Sequence, residues 1–321
     1  MRITRRHLQV SLAVLWLLDG ALQCQPYMFH RSFADGVLAP AGMGQPTLIA
    51  AMVHWAAAGV SVAPALANSG FALIQLGIGV GLLTRRFARP ALTASVVWAL
   101  SIWVVGEGLG GLASGSTLLA GAPGAALLYA VVAYLAWPSR LDGDDARPSW
   151  LALPAWCALW LSGALLQFVA GNNSASSFTM MLHTAQASAP GWIASIDRVL
   201  LEQRVPSWTA AAAIAVYVLV AVWSAVPGWT RRWSVGVGVI VTVTGWLLIQ
   251  GLGDLSSGRA TDPNSGPLVV LMALAVLGAR PPRTATTNVG TTIGLELAPF
   301  GSASTLGGGV RSPNVLEVSV P

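Results

Sequence analysis

Residues 103–110 read Trp-Val-Val-Gly-Glu-Gly-Leu-Gly, and at an offset of 143 residues 246–253 read Trp-Leu-Leu-Ile-Gln-Gly-Leu-Gly. Each octet closes an apolar run that starts beside an arginine pair, Arg85-Arg86 in the first case and Arg231-Arg232 in the second. Further back, Leu15-Trp16-Leu17 with Gln23 returns as Leu159-Trp160-Leu161 with Gln167, at an offset of 144, and Gly115 pairs with Gly258. Matches at separated places in nearly one register read as an internal duplication.

The composition around these segments selects the solvent. Of 321 residues, 55% are hydrophobic and only 9% charged, and the mean hydropathy is +0.67. Soluble domains carry about 25% charged residues. The chain therefore reads as an all-α integral membrane protein, which excludes a soluble enzyme, a nucleic-acid-binding module and a disordered chain. Its 17 basic residues are all arginine, so the pI near 10.0 reflects a few clusters on an apolar body, and no nucleic acid is expected as a partner.

Eight runs qualify as spans: Leu8–Gln23, Asn68–Thr84, Pro90–Glu107, Pro123–Trp137, Trp150–Ala170, Trp208–Val226, Trp233–Gln250 and Gly266–Leu277. With both termini in the cytoplasm, the inner segments collect 13 of the 17 arginines, leaving only Arg31, Arg198, Arg204 and Arg259 outside. That asymmetry sets the orientation in the cell membrane. Four spans per copy is an even number, so the two four-helix repeats run parallel, related by an axis along the membrane normal. The expected organisation is a first repeat over 1–138, a cytoplasmic linker over 139–149, a second repeat over 150–279 and a disordered cytoplasmic tail over 280–321. Tryptophans at span ends, such as Trp137, Trp150, Trp208 and Trp233, fit an aromatic belt. Moderately apolar segments in the two long outer connections, Leu48–Val60 and Ile193–Leu201, are expected to be interfacial or re-entrant helices. Cys24 and Cys157 fall at different depths, so no disulfide is expected. The first run reads as a retained helix, because Gln23 stands where a cleavage site before Cys24 needs a small residue.

Candidate chemistry is sparse. Trp16, Asp19 and Gln23 are spaced to share one face of the first helix, and Trp103 and Glu107 share a face at the end of the third. An ionisable residue in such a run costs about 2.5 to 3.5 kcal/mol at the membrane centre, so Asp19 should face the bundle interior or water. If the first and third helices pack, Asp19, Gln23, Trp103 and Glu107 define one outward-facing polar pocket. Structural hydrogen bonding for Asp19 and interfacial water for Glu107 is the alternative. The second-copy positions are Gln167, Trp246 and Gln250, with Gly163 at the place of Asp19, so the charges belong to the first repeat alone. The glycines at 106–111 form no phosphate loop, since no strand precedes them. Asp254 and Asp262 read first as helix caps and second as ligands for a hard cation. His30, His54 and His183 lie near methionines, a pairing that suits a soft metal, yet no ligand spacing repeats. No nucleophile set or catalytic motif can be placed, so whether the chain is an enzyme stays open, and no cofactor is specified.

The order of parts in each half resembles the DoxX-like membrane proteins. A first helix carries Leu-Trp with a polar end (Trp16 to Gln23), an outer loop carries Phe33 and Leu38, a Gly-rich helix runs into Arg85-Arg86, and a fourth apolar helix follows. The likeness covers about Leu8 to Ala279, but here the four-helix unit occurs twice. The Arg-only, Ala/Gly-rich composition also resembles polytopic membrane proteins of actinobacterial type. The DoxX-like resemblance implies a membrane subunit or partner-binding scaffold, in some members linked to quinone redox chemistry, with a membrane or extracytoplasmic protein as partner. A small-solute or ion transporter with its site between the repeats is the competing reading.

The topology is checked with reporter fusions at residues 139–149. An alkaline phosphatase fusion should be inactive there and a fluorescent protein fusion bright; the reverse pattern would mean that the linker is exported.

Overall fold

The computed structural model describes residues 3–138, 147–169, 171–203 and 205–279. The tail over 280–321 and most of the expected linker, residues 139–146, lie outside the described residues, as does Arg204. Every regular element among the described residues is helical. In chain order these are α1 (Arg5–Leu22), α2 (Arg31–Phe33, one turn), α3 (Thr47–Val62), α4 (Pro64–Leu83), α5 (Ala88–Val105), α6 (Ala125–Leu135), α7 (Ala152–Phe168), α8 (Ala175–Ser188), α9 (Gly191–Glu202), α10 (Thr209–Ala225), α11 (Trp229–Leu248) and α12 (Ser265–Gly278). Pro64–Leu83 and Arg85–Val105 are long and apolar enough to cross a membrane, and Thr47–Val62, Ala125–Leu135, Ala152–Phe168, Thr209–Ala225 and Ser265–Gly278 are shorter apolar helices.

All eight apolar runs are helices: α1, α4, α5, α6, α7, α10, α11 and α12. The two outer segments are helices too, inside α3 and α9. α8 was not anticipated, because Ala175–Ser188 carries six Ser, Thr or Gln residues and no clear apolar stripe. α3 differs from expectation in character: it is as apolar as the spans and packs on α5 and on the turns between α2 and α3.

Helix packing recurs in the two halves. α1 packs on α4, α4 on α5, α5 on α6 and α6 on α1; in the same order α7 packs on α10, α10 on α11, α11 on α12 and α12 on α7. α6 also packs on α12, and one hydrophobic core runs through both halves, from Leu12 and Trp16 through Tyr129 and Val132 to Trp156, Trp160, Leu268 and Met272. The two sets of four helices are therefore not two separate cores.

Close packing explains several small residues. Gly79 on α4 sits against α1, where an added Cβ would lie 2.7 Å from Leu17 Cγ and 3.1 Å from the Ala13 carbonyl oxygen. Several polar groups inside the core are paired across helices: the Trp16 indole donates to Ser95 Oγ (2.9 Å), Trp156 to Ser224 Oγ (3.0 Å), and Gln9 Nε2 to the Ala136 carbonyl (3.1 Å). Arginines close helix C-termini, whose last carbonyls have no intrahelical donor. Arg6 reaches Leu82 O (2.7 Å) at the end of α4, and Arg231 Nε reaches Ser224 O (2.8 Å) at the end of α10. Cys24 and Cys157 are both free thiols.

Gly79→Ala should lower stability by about 1 to 3 kcal/mol through overpacking. Gly77→Ala, with nothing within 4 Å of its added Cβ, should be neutral or stabilising by up to about 1 kcal/mol, since alanine is the better helix former. Thermal melts of the two purified variants side by side decide this.

Candidate functional site

The turn after α5 sets the geometry of the site. Its backbone enters the left-handed region at Gly108, Leu109 and Gly110 (φ +55, +62 and +60), and the turn after α11 does the same at Gly251, Leu252 and Gly253 (φ +53, +62 and +70). A side chain at Gly110 would strike the Pro123 carbonyl, so the two segments approach this closely only through glycine. The same approach recurs between Gly253 and the Pro263 backbone. Each turn is fastened by an indole: Trp103 Nε1 donates to Pro123 O at 2.8 Å, and Trp246 Nε1 donates to Pro263 O at 2.7 Å. Trp103 therefore serves the turn and does not line the cavity beside it. This departs from its expected place, because its N–H needs an acceptor and finds one in the proline carbonyl.

That turn lays Glu107 across the start of α6, where Oε1 accepts from the Ala126 amide at 3.0 Å. The carboxylate meets the unpaired first-turn amides of a helix, as a capping side chain does. Gln250 takes the matching place at α12, its Nε2 donating to Ser265 Oγ (2.9 Å) and to the Leu119 carbonyl (2.9 Å).

Between α1, α4, α5 and α6 lies a cavity of about 230 Å³. Asp19 and Gln23 reach it from α1, Gln75 from α4, Trp98 from α5, Glu107 from the turn and Tyr129 from α6. Thr261 and Asp262 enter from the loop before α12, and Phe33, Val37, Leu38 and Val60 cover it from the outer segment. Val37 and Leu38 belong to a π-turn, Ala34–Leu38, a form frequent at functional sites. Three of the four expected pocket residues, Asp19, Gln23 and Glu107, are thus brought together.

Four polar side chains on this cavity are almost wholly buried: Asp19 (1% exposed), Gln23 (3%), Gln75 (4%) and Tyr129 (2%). Their Oδ1, Oε1, Oε1 and OH atoms have no hydrogen-bond partner of good geometry, nor do Glu107 Oε2 and Trp98 Nε1. The Tyr129 hydroxyl lies beside the Asp19 carboxyl as a side-chain hydrogen-bonding neighbour, Asp262 is a further acidic neighbour, and among the described residues no arginine, lysine or histidine lines the cavity. Two aromatic pairs wall it, Trp16 with Tyr129 (centroids 4.4 Å apart) and Phe71 with Trp98 (5.5 Å).

In the second half the polar end of the corresponding place is filled, while an apolar cavity of about 440 Å³ opens beside it against Val241, Thr244, Gly245 and Leu248 of α11. Trp160, Gln250 and Val269 border a space of only about 10 Å³. Leu118 and Leu119, from the loop before α6, occupy it; Leu118 Cδ2 is 2.7 Å from a Cβ built on Gly163 and Leu119 Cδ2 is 2.7 Å from one built on Gly245. Each half thus receives the other's loop: leucines close the polar end of the second half and leave its cavity apolar, whereas Thr261 and Asp262 keep polar groups at the cavity of the first half. Gln167 turns away to the Asn172 carbonyl.

Asp262 accepts from Thr261 Oγ1 and from the Asn264 amide, both at 2.7 Å, and Asn264 caps α12. Among the described residues no group of three or more His, Cys, Asp or Glu side chains could hold a metal ion. His30, His54 and His183 are exposed and ungathered. Sequence reasoning missed Gln75, Trp98 and Tyr129 on the cavity and weighed Asp262 only as a cap or cation ligand. The available signal was Gln75 within the apolar C-terminal part of α4 and the Tyr129 hydroxyl within the apolar α6. No protein-family model matches the chain, and no curated protein or solved structure matches it either.

Glu107→Ala removes the α6 cap and should cost about 0.5 to 2 kcal/mol. Asp19→Asn, which keeps an acceptor oxygen for the Tyr129 hydroxyl and removes a buried acid, should melt within about 0.5 kcal/mol of the native chain or above it. Melting curves of the two variants without ligand provide the check.

Proposed function

We propose that this chain is a multi-pass protein of the cell membrane, built from two parallel copies of a four-helix unit, and that it works as a ligand-binding membrane subunit. The eight spanning helices on this reading are α1, α4, α5, α6, α7, α10, α11 and α12. Large apolar side chains on their outer faces are exposed, among them Leu73, Val97, Leu161, Leu165, Val222 and Ile240, and lipid is the solvent that tolerates them. Arg6 and Arg231 lie at the ends assigned to the cytoplasm. The matched order of helix packing, the paired left-handed turns and the paired indole bonds support duplication.

The observation that carries the subunit reading is the open cavity of the first unit, with its buried polar atoms left unsatisfied. Buried polar groups are nearly always paired, so such a concentration in one cavity points to a missing ligand. The DoxX-like resemblance makes a quinone-linked partner enzyme one setting for such a subunit. A transporter is the second reading, favoured by Thr261 and Asp262, which bring the second unit to the cavity.

A panel of quinols, amines and Cu(I), scanned by thermal shift over acid to alkaline pH, tests this. At least one compound should stabilise the native protein and not Asp19→Asn, and proteoliposomes should not accumulate it. Accumulation establishes the transporter, and a wholly unresponsive protein leaves a scaffold.

A further inference from the structure

The unsatisfied atoms on the first-half cavity are unequal in kind. Four accept hydrogen bonds: Asp19 Oδ1, Gln23 Oε1, Gln75 Oε1 and Glu107 Oε2. Trp98 Nε1 donates, and the Tyr129 hydroxyl faces Asp19. A quinone, with acceptors only, would satisfy the indole and leave the amide and carboxyl oxygens bare. The cavity therefore asks for a ligand rich in N–H groups.

Charge points the same way. Asp19 is buried without a cationic partner, and an unpaired charge in such a place costs several kcal/mol. Glu107 and Asp262 bring two further carboxyl groups to the space, and among the described residues no basic side chain lines it. A chelated metal ion is disfavoured, because the carboxylates do not converge into a set that could hold one. The walls are the faces and edges of Trp16, Phe71, Trp98 and Tyr129, and aromatic faces attract organic cations.

Resting on the ligand-binding reading above, we propose that the cavity takes a small organic cation bearing several N–H groups, a primary ammonium or guanidinium compound. Asp19 holds its charge, the amide oxygens of Gln23 and Gln75 accept its N–H groups, and Trp98 and Tyr129 pack against it. At about 230 Å³ the space is below the roughly 300 to 1,000 Å³ of drug-sized sites, so the ligand is small. The second half cannot share the activity: Gly163 replaces the carboxylate and Leu118 occupies its place.

Isothermal titration of the full-length protein in nanodiscs tests the proposal. The probes are n-butylammonium and methylguanidinium, with n-butanol, tetramethylammonium and sodium as comparators and duroquinol as the competing ligand. Butylammonium or methylguanidinium should bind, and the comparators should not. Asp19→Asn should weaken binding by about tenfold or more, the loss of one charge-assisted hydrogen bond, and Gln75→Leu should weaken it by a smaller factor. Leu118→Ala, remote from the cavity, should bind as the native chain does. Melting curves of the unliganded variants verify that each is folded. Equal binding of tetramethylammonium or butanol overturns the requirement for N–H groups. Asp19-dependent binding of duroquinol without any response to the cations overturns the ligand class but keeps the site. Silence from every probe overturns both.

Discussion

An indole N–H given to a proline carbonyl is the bond on which the arrangement turns. Trp103 to Pro123 and Trp246 to Pro263 each pin a left-handed turn against the start of the following helix. Without that bond four consecutive left-handed residues, Gly108 to Gly111 or Gly251 to Asp254, would have little to hold them; an L-residue there costs roughly 1 to 2 kcal/mol. With it, Glu107 is placed over the first amides of α6 and Gln250 beside the first residues of α12. The glycines are consequences of the same approach, since Gly110 and Gly253 stand where a Cβ would enter backbone.

From that shared device the halves diverge by a few side chains. Where α1 has Asp19, α7 has Gly163, and where the loop before α12 presents Thr261 and Asp262, the loop before α6 presents Leu118 and Leu119. The leucines close the polar end of one inter-helical space with core packing of the ordinary kind. The acids and amides leave the other open and unsatisfied. On the proposed duplication, one copy became apolar there while the other kept a polar chamber, and each copy's loop completes its neighbour. α6 packing on α12 is what places the loops within reach of the opposite half.

How much of this was legible depended on the range of the interaction. Helix spacing along α1 sufficed to put Trp16, Asp19 and Gln23 on one face, and the offset of 143 sufficed to pair Glu107 with Gln250. Gln75 and Tyr129 carried weak local signals, a polar group amid apolar neighbours, that do not say which way the helix faces. Trp103 was misplaced because a face of a helix specifies direction but not the acceptor an indole finds in another segment.

The amino-acid order by itself determined the helical periodicity, the apolar character of the helices and the recurrence of the turn motif, all properties of neighbouring residues. Which of two equivalent spaces keeps a polar lining was decided by tertiary structure alone. That outcome depends on Leu118 and Leu119 crossing to one half and Thr261 and Asp262 to the other, and loop exchange between distant segments leaves no mark on local spacing.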